Sequence, residues 1–181
     1  MNRLVLLRHG RTEGTEQHLY YGATDLPLLE EGVRELQSAA KRGVYPAPDG
    51  FSFVTSGMLR TNQTLRAIYA DVPFSVIEEL REVNFGMFEM KSYEELKNEP
   101  AYQEWLSGDW FQNVPPGGES FFESEARMLR GLERLLARQT DTICVCHGGT
   151  ILTAMQKLFP EAGKDGYAWQ PKPGFGYAVD L

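Results

Sequence analysis

Two histidines in this chain each stand between a short apolar run and a glycine. His9 follows the aliphatic residues 4–7 and an arginine, and His147 follows the apolar residues 142–146. Runs of this length predict strands that are buried on both faces of a sheet. Open α/β sheets bind their ligands just beyond the carboxyl ends of the strands. Both histidines, out of three in the chain, are therefore predicted to lie where such a sheet binds a ligand.

An arginine directly precedes the first of these histidines. The guanidinium of Arg8 offers planar N–H donors that match the oxygens of an anion such as phosphate. The pair Arg8-His9 at a strand end therefore predicts an anion site. The alternative is a strand that happens to end in basic residues, with His9 as a surface histidine, and a motif of three residues does not by itself separate the two interpretations.

The composition is that of a globular domain with an acidic balance. The chain has 181 residues, of which 42% are hydrophobic and 24% are charged, and its formal net charge is −7. We expect a single domain over residues 1–181, with a lid or insert at about 80–118. The negative charge and the lack of a basic tract predict no nucleic-acid binding. An acidic protein that handles an anion must concentrate cations locally, so single arginines are informative.

The cysteines and the start of the chain bear on its location. The four aliphatic residues after Arg3 are too few for a signal peptide or a membrane span, so we expect no membrane association. Cys144 and Cys146 are separated by one residue on a predicted strand, so their side chains share a face and are poorly placed for a disulfide. Two reduced, buried thiols predict a cytoplasmic protein.

Strand and helix patterns alternate along the chain. Apolar runs predict strands at 4–7, 51–56, 74–77, 142–146 and 176–181, and periodicity predicts helices at 30–40, 58–69, 93–96, 102–106, from about 119, and at 151–159. The βαβαβ order at the beginning favours an α/β layered fold with a mainly parallel sheet. The arginines of the long helix are predicted to form a solvated face: Arg127, Arg130, Arg134 and Arg138.

Two motifs together resemble those of the histidine phosphatase superfamily, the phosphoglycerate-mutase-like clan: Arg8-His9-Gly10-x-Thr12 and His147-Gly148-Gly149. The resemblance runs from residue 8 to about residue 151. It implies a three-layer α/β/α sandwich with a mainly parallel central sheet. It also implies a phosphomonoesterase that forms a phosphohistidine intermediate on His9 and needs neither a metal nor another cofactor. His147 would stabilise the phosphoryl group as a donor, best in its protonated form, which a dianionic ligand favours.

The same resemblance suggests a further cation and a proton donor. Arg60 matches the arginine of the family's Ser-x-x-x-Arg segment and lies early in a predicted helix, whose dipole favours an anion. Arg66, further along that helix, is expected to face solvent. Residues 80–89 resemble the family's Leu-Arg-Glu-x-x-Phe-Gly-x-Trp-Glu segment, which puts Glu82 at the acid position. A carboxyl group beside a phosphate can hold a proton near neutral pH and donate it.

Four other residues have expected roles near the site or in its support. Glu89 is the alternative carboxylate, although its family counterpart is structural, and Glu119 is expected to cap or anchor the start of a helix. Thr15 stands where the family commonly has asparagine and is expected to donate one hydrogen bond to the phosphate. Gly148 is expected to contact the phosphate as well.

The substrate is expected to be a small phosphomonoester. Mutases of this clan carry a longer insertion between the acid and the second histidine, so the short chain favours transfer of the phosphoryl group to water. The lid segment holds a dense aromatic set: Phe85, Phe88, Tyr102, Trp105, Trp110 and Phe111. This set forms either a satellite core or an apolar wall for a bulky leaving group. Together with residues 115–121 it resembles the α-ribazole phosphatases of cobalamin synthesis, while phosphoglycerate and sugar phosphates stay open as substrates.

Two interpretations of other kinds stay open. His9, His147 and Glu82 could form a metal site of two histidines and one carboxylate, although Arg8 and Arg60 would repel a divalent cation. The chain could also bind a phosphorylated ligand without turnover, although a pure binder needs no proton donor.

Overall fold

A five-stranded sheet forms the centre of the protein in a computed structural model that describes residues 2–163 and 166–181. The strands are β1 (Arg3–Arg8), β2 (Leu19–Tyr20), β3 (Ser52–Thr55), β4 (Ser75–Val76), β5 (Lys91–Ser92), β6 (Thr142–Cys146) and β7 (Gly176–Asp180). The large sheet has the order β4-β3-β6-β1-β7, with β7 antiparallel to β1 and the other pairs parallel. The prediction of a mainly parallel sheet is confirmed. β2 and β5 form a separate antiparallel pair.

Helices cover both faces of the large sheet. They are α1 (Glu13–Glu16), α2 (Glu30–Lys41), α3 (Leu59–Tyr69), α4 (Tyr93–Leu96), α5 (Pro100–Leu106), α6 (Phe121–Leu136) and α7 (Gly148–Leu158). One core lies between the sheet and helices α6 and α7, and a second core lies between the sheet and α3, against which α2 packs. The expected three-layer sandwich is therefore present. In the described ranges, no helix is long and apolar enough to cross a bilayer.

The first strand contributes side chains to both cores in alternation. Leu4 and Leu6 belong to the core under α6 and α7, whereas Val5 and Leu7 belong to the core under α3. All four side chains are buried, and burial of such a side chain contributes about 1.5–3 kcal/mol. A strand that is covered on both faces needs no polar residue in its middle, which explains the unbroken aliphatic run.

The register of β1 and β6 brings the two histidines together. Arg8 pairs with Cys146 in the last position of the parallel ladder, so His9 and His147 leave neighbouring strands at the same end. β3 lies on the other side of β6 and ends at Thr55 at this same edge. Three strand ends therefore deliver their following residues to one place.

The two cysteines lie in a core rather than at this edge. Cys144 and Cys146 are free, are buried, and share the core under α6 and α7. Their common location confirms that the two side chains share one face of β6.

Element boundaries differ from the sequence pattern where capping decides them. The long helix begins at Phe121, because the hydroxyl of Ser120 accepts the N–H of Glu123 at 3.1 Å and the Glu123 carboxylate accepts the N–H of Ser120 at 2.9 Å. The helix after the second histidine begins earlier than predicted, at Gly148. The short helix α1, capped by Thr12, and the β2–β5 pair were not predicted. These elements are two to four residues long, which is too short for a periodic pattern to show.

Candidate active site

The side chain of His9 is a buried, neutral imidazole with one unprotonated ring nitrogen that can act as a nucleophile. Its Nδ1 lies 2.8 Å from the carbonyl oxygen of Gly10. Because a carbonyl can only accept, Nδ1 carries the proton and Nε2 retains its lone pair. Burial lowers the pKa of His9 well below its usual value, and the charge of Arg60 lowers it further, whereas the Gly10 hydrogen bond acts in the opposite direction and Arg8 has the smallest lowering effect. The neutral form that a nucleophile requires is therefore the resting form.

His147 lies beside His9, with the ring centroids 5.3 Å apart. Its Nδ1 accepts a hydrogen bond from Nε of Arg60 at 3.3 Å, so its proton lies on Nε2, which is 2.8 Å from the hydroxyl oxygen of Ser56. Burial, then Arg60 and His9, lower the pKa of His147 well below its usual value. His147 is therefore neutral in the ligand-free protein. A bound phosphate dianion would oppose the charge of Arg60 and so favour the imidazolium form expected from the sequence.

Arg60 is a fully buried cation at the start of α3. Its Nη1 donates to the carbonyl of Thr24 at 2.9 Å and its Nη2 to the carbonyl of Gly22 at 2.8 Å. Its guanidinium also lies over the ring of Tyr21, 5.1 Å from the centroid. Burial lowers the pKa of Arg60 from its ordinary value. Arg66, by contrast, is exposed, as the sequence predicted.

Arg8 has one donor that is buried without a partner. Its Nη1 donates to the carbonyl of Pro171 at 2.8 Å, whereas its Nε finds no acceptor within the described parts of the chain. A buried donor without an acceptor costs about 1–3 kcal/mol. An anion at this position would supply that acceptor, so the donor set of Arg8 suits the phosphate predicted for it.

Glu82 is held at the start of the second histidine's helix. The backbone N–H of Gly149 donates to Oε2 of Glu82 at 2.9 Å, and the N–H of Val83 donates to Oε1 at 3.1 Å. A Cβ atom at Gly149 would lie 2.4 Å from Oε1 of Glu82. A larger residue at this position would therefore displace the Glu82 carboxylate from where it lies. Gly149 is a site residue that the sequence analysis did not single out, although the doubled glycine after His147 was the available sign.

The carboxylate of Glu89, the alternative acid, binds backbone N–H groups instead. Its carboxylate accepts the backbone N–H groups of Gly22, Ala23, Thr24 and Phe85 at 2.9–3.1 Å. Burial acts to raise the pKa of Glu89, but the hydrogen bonds from Thr24, Phe85 and Gly22 together lower it. Glu89 thus fixes the loop whose carbonyls hold Arg60, which is the structural role that its family counterpart implied.

The prediction that Arg127 lies on a solvated face of α6 is wrong. Arg130, Arg134 and Arg138 are exposed as predicted, but the side chain of Arg127 is only 21% exposed and pairs with that of Glu119, which is also 21% exposed. Arg127 also donates to three backbone carbonyls in the segment that carries Glu82. Sequence periodicity cannot reveal this role, because the partners come from a distant part of the chain.

Two further predicted phosphate contacts are not at the cavity wall. The hydroxyl of Thr15 donates to the carbonyl of Thr12 at 2.7 Å and accepts the N–H of Thr12 at 2.9 Å, so it is used within the cap of α1. The expected contact of Thr15 with phosphate is therefore not supported. Gly148 is buried as the first residue of α7, and a Cβ there would lie 2.4 Å from Nε2 of Gln170.

One cavity of about 700 Å³ collects the polar groups and an apolar wall. Near the histidines its lining includes Arg8, His9, Arg60, Glu82 and Gly149. Its apolar and aromatic lining includes Tyr20, Phe85, Trp110, Phe111, Phe121, Met128 and Leu152. The remaining wall carries Ser124, Glu125, Thr153, Gln156, Tyr167 and Gln170. A phosphate near the histidines would therefore have an apolar surface next to its organic group.

The aromatic residues of the lid segment divide between the two predicted roles. Phe88, Tyr102 and Trp105 are buried together in a satellite core with Leu96. Phe85, Trp110 and Phe111 line the cavity, and Trp110 contacts Phe121 with ring centroids 5.3 Å apart. The satellite core supports the wall from behind, since Trp105 stacks on Phe121.

The metal-site interpretation finds no matching geometry. In the part of the chain that the structure describes, no group of three or more His, Cys, Asp or Glu side chains is arranged to hold a metal ion. Both ring nitrogens of His147 are engaged by Arg60 and Ser56, and a guanidinium beside an imidazole nitrogen opposes a cation there.

Comparison with known proteins agrees with the geometry. The sequence profile of the histidine phosphatase superfamily (branch 1) matches residues 4–172. The adenosylcobalamin/alpha-ribazole phosphatase of Escherichia coli (strain K12) is 29% identical, covering 99% of this chain and 90% of its own length. A 2,3-bisphosphoglycerate-dependent phosphoglycerate mutase of Rhizobium etli is 31% identical, covering 87% of this chain and 80% of its own length.

A solved structure shows the same likeness in three dimensions. The crystal structure of the alpha-ribazole phosphatase from Shigella flexneri superposes with a TM-score of 0.87 at 27% identity, and the match covers 99% of this chain and 90% of that one. This neighbour therefore shares the fold of the chain over nearly its whole length. The chain is a phosphatase and belongs to the histidine phosphatase superfamily, branch 1.

Proposed function

We propose that this phosphatase hydrolyses a phosphomonoester with a bulky, apolar organic group, through a phosphohistidine on His9 and with Glu82 as proton donor. The observation that carries the proposal is the single cavity in which Arg8, His9, Arg60 and Glu82 share walls with a set of aromatic side chains. Phosphoryl transfer needs a nucleophile, positive charge around the phosphoryl oxygens and a proton for the leaving group. This cavity supplies all three.

The first step transfers the phosphoryl group to the enzyme. The lone pair of Nε2 of His9 forms a bond to phosphorus while the bond between phosphorus and the ester oxygen breaks. Glu82 gives its proton to that oxygen, which leaves as an alcohol. The guanidinium groups of Arg8 and Arg60 neutralise charge on the phosphoryl oxygens, and His147 takes up a proton as the dianion binds.

The second step returns His9 to its resting state. Glu82, now a carboxylate, accepts a proton from water as the water oxygen attacks phosphorus and the phosphorus–nitrogen bond breaks. Inorganic phosphate leaves, Nε2 regains its lone pair, and Glu82 is again protonated for the next turnover. The same group thus serves as acid and then as base.

The aromatic wall supports an aromatic leaving group, and α-ribazole 5′-phosphate is the candidate substrate. Two of the relatives described above carry alpha-ribazole phosphatase in their names. Among the described lining residues, Arg8 and Arg60 supply the positive charge, and Glu125 adds a negative charge to the wall. A bisphosphate or phosphoglycerate would bring a second anion, for which the described lining residues offer no cation beyond Arg8 and Arg60, and this disfavours mutase activity. The free thiols Cys144 and Cys146 support a cytoplasmic location.

A substrate panel with one wall variant tests this proposal. kcat/KM should be highest for α-ribazole 5′-phosphate and much lower for 3-phosphoglycerate and glucose 6-phosphate. Trp110→Ala should lower kcat/KM for the aromatic substrate by roughly twofold to tenfold, since an aromatic contact contributes about 0.5–1.5 kcal/mol, and should leave the small substrates unchanged. Phe175→Ala, which removes an exposed aromatic ring outside the cavity, is the matched control. Preference for 3-phosphoglycerate would contradict the proposal.

A further inference from the structure

The side chains of Arg127 and Thr150 bind the backbone carbonyls of residues 79–82, the segment that carries Glu82. Arg127, on α6, donates from Nη1 to the carbonyls of Glu79 at 3.0 Å and Arg81 at 2.8 Å, and from Nη2 to the carbonyl of Glu82 at 3.3 Å. The hydroxyl of Thr150 donates to the remaining carbonyl of the turn, that of Leu80, at 2.9 Å. Four successive carbonyls are thus occupied by two side chains.

Glu119 binds the backbone of the same segment on the C-terminal side of Glu82. Its Oε1 accepts the backbone N–H of Asn84 at 3.0 Å, and its own N–H donates to the carbonyl of Asn84 at 3.0 Å. The same carboxylate accepts Nε of Arg127 at 3.2 Å and also pairs with Nη2. The two side chains, each 21% exposed, therefore hold the backbone from Glu79 to Glu82 and at Asn84, and they also bind each other.

The carboxylate of Glu82 is anchored on the cavity side by a separate element. Its two oxygens accept the N–H groups of Gly149 and Val83. These bonds orient the carboxylate only if its backbone stays where α7 can reach it. A general acid must lie within hydrogen-bond reach of the leaving oxygen, and a misplacement of about 1 Å can cost on the order of a hundredfold in rate.

From these contacts we infer that Arg127 and Glu119 are positioning residues for Glu82, which set how well it donates its proton without touching the substrate. The inference rests on the proposed role of Glu82 as the acid. It predicts that loss of the pair removes the help given to poor leaving groups and spares the binding of phosphate. A pair that contributed only to stability would not distinguish between leaving groups.

The same helix offers a matched control. Arg134 also reaches the start of this segment, but its Nη1 pairs with the carboxylate of Glu79 at 2.7 Å rather than with the segment's backbone carbonyls. Its side chain is 56% exposed, and exposed pairs contribute about 0–1 kcal/mol. Arg134→Met therefore removes an arginine and an ion pair from the same region without releasing the backbone of Glu82.

The test compares the formation of phosphohistidine from two substrates by rapid quench. Arg127→Met should slow this step by about tenfold to a hundredfold for an alkyl phosphate, within the about hundredfold to ten-thousandfold that a general acid contributes. It should change the step by less than about threefold for p-nitrophenyl phosphate, whose leaving group barely needs a proton. Arg127→Lys should restore part of the alkyl rate, because an ammonium keeps the charge but not the planar fork. Arg134→Met should leave both rates unchanged.

A double variant separates positioning from a general loss of structure. In a Glu82→Gln background, Arg127→Met should add less than about a twofold further loss, because the group being positioned is already gone. Equal slowing of both substrates by Arg127→Met, or full additivity with Glu82→Gln, would overturn the inference. If Arg127→Met does not fold, Glu119→Gln serves in its place with the same expectations. Glu82→Gln by itself tests the acid role separately from the positioning role. If Glu82→Gln slows both substrates alike, Glu82 is not the acid and both roles fail. If Glu82→Gln slows the alkyl phosphate more but Arg127→Met does not, only the positioning role fails.

Discussion

The Nε atom of Arg60 donates to Nδ1 of His147 at 3.3 Å, so a buried cation faces a buried imidazole. Arg60 acts on both histidines of the site, because it lowers the pKa of His147 and of His9 in addition to the larger effect of burial. The ligand-free site therefore holds two neutral histidines next to two arginines. A dianion is the ligand that relieves the repulsion among these groups.

The two histidines should make the stability of the protein depend on pH. Their pKa values are lowered in the folded protein, while in the unfolded chain they return to about 6.5. Below that pH the unfolded state binds more protons, so the free energy of unfolding falls as the pH falls, by up to about 1.4 kcal/mol per pH unit for each histidine. Above about pH 6.5 this contribution is fully present and constant.

Urea unfolding at several pH values checks this linkage. His147→Asn should show a shallower loss of stability between about pH 6.5 and about pH 5 than the wild type, because one of the two depressed groups is absent. His18→Asn is the control, since His18 is exposed and has a positive φ of 53° in a surface turn. Identical slopes for the wild type and His147→Asn would show that His147 titrates alike in both states.

His9→Ala should abolish turnover, because the unprotonated Nδ1 of the neighbouring His147 already accepts a hydrogen bond from Arg60 and cannot replace Nε2 of His9. Wild-type enzyme that is quenched during turnover should carry an acid-labile, base-stable phosphate, and His9→Ala should carry none. His18→Ala should retain both activity and labelling, because His18 is exposed and does not line the cavity. Full turnover by His9→Ala would refute the phosphohistidine mechanism.

Glu82→Gln should separate substrates by their leaving groups. A general acid contributes about a hundredfold to ten-thousandfold, or about 3–5 kcal/mol of barrier. An alkoxide is a strong base and needs the proton, whereas p-nitrophenolate does not. The burst phase for an alkyl phosphate should therefore slow severely and that for p-nitrophenyl phosphate much less. The burst must be measured, because the steady-state rate hides the contrast when hydrolysis of the intermediate is limiting.

Glu89→Gln tests the alternative carboxylate in the opposite sense. Glu89 accepts the N–H groups of the loop that holds Arg60, so its loss should loosen a phosphate-binding cation rather than remove a proton. Both substrates should slow by similar factors, up to about a hundredfold for a shift of about 1 Å. If Glu89→Gln slowed the alkyl phosphate more than p-nitrophenyl phosphate and Glu82→Gln did not, Glu89 rather than Glu82 would be the general acid.

Activity should survive prolonged incubation with EDTA. Arg8 and Arg60 line the cavity beside His9 and supply the positive charge that a phosphoryl group requires. Rates for p-nitrophenyl phosphate should therefore be equal before and after chelation and after addition of Mg²⁺ or Zn²⁺. Inactivation by EDTA that a divalent metal reverses would favour the metal-site interpretation.

Local sequence determined the ends of the strands and the residues that follow them. The aliphatic run before Arg8 and the β-branched run before His147 are long enough to specify buried strands, and the glycines after them end those strands. The family motifs then pointed to His9, Arg60 and Glu82, and the structure brings all three to one cavity. These features were predictable because each depends on neighbours in the chain.

The tertiary structure decided which side chains hold those residues in place. Thr15 was expected at the phosphate, but its hydroxyl donates to the carbonyl of Thr12 in its own helix cap. Arg127 was expected in solvent, but the packing of α6 places it against the backbone of the Glu82 segment. A helical pattern shows which residues share a face, whereas the element that covers this face comes from elsewhere in the chain. Only the folded arrangement of these distant segments, in which buried carbonyls must find donors, determines that partner.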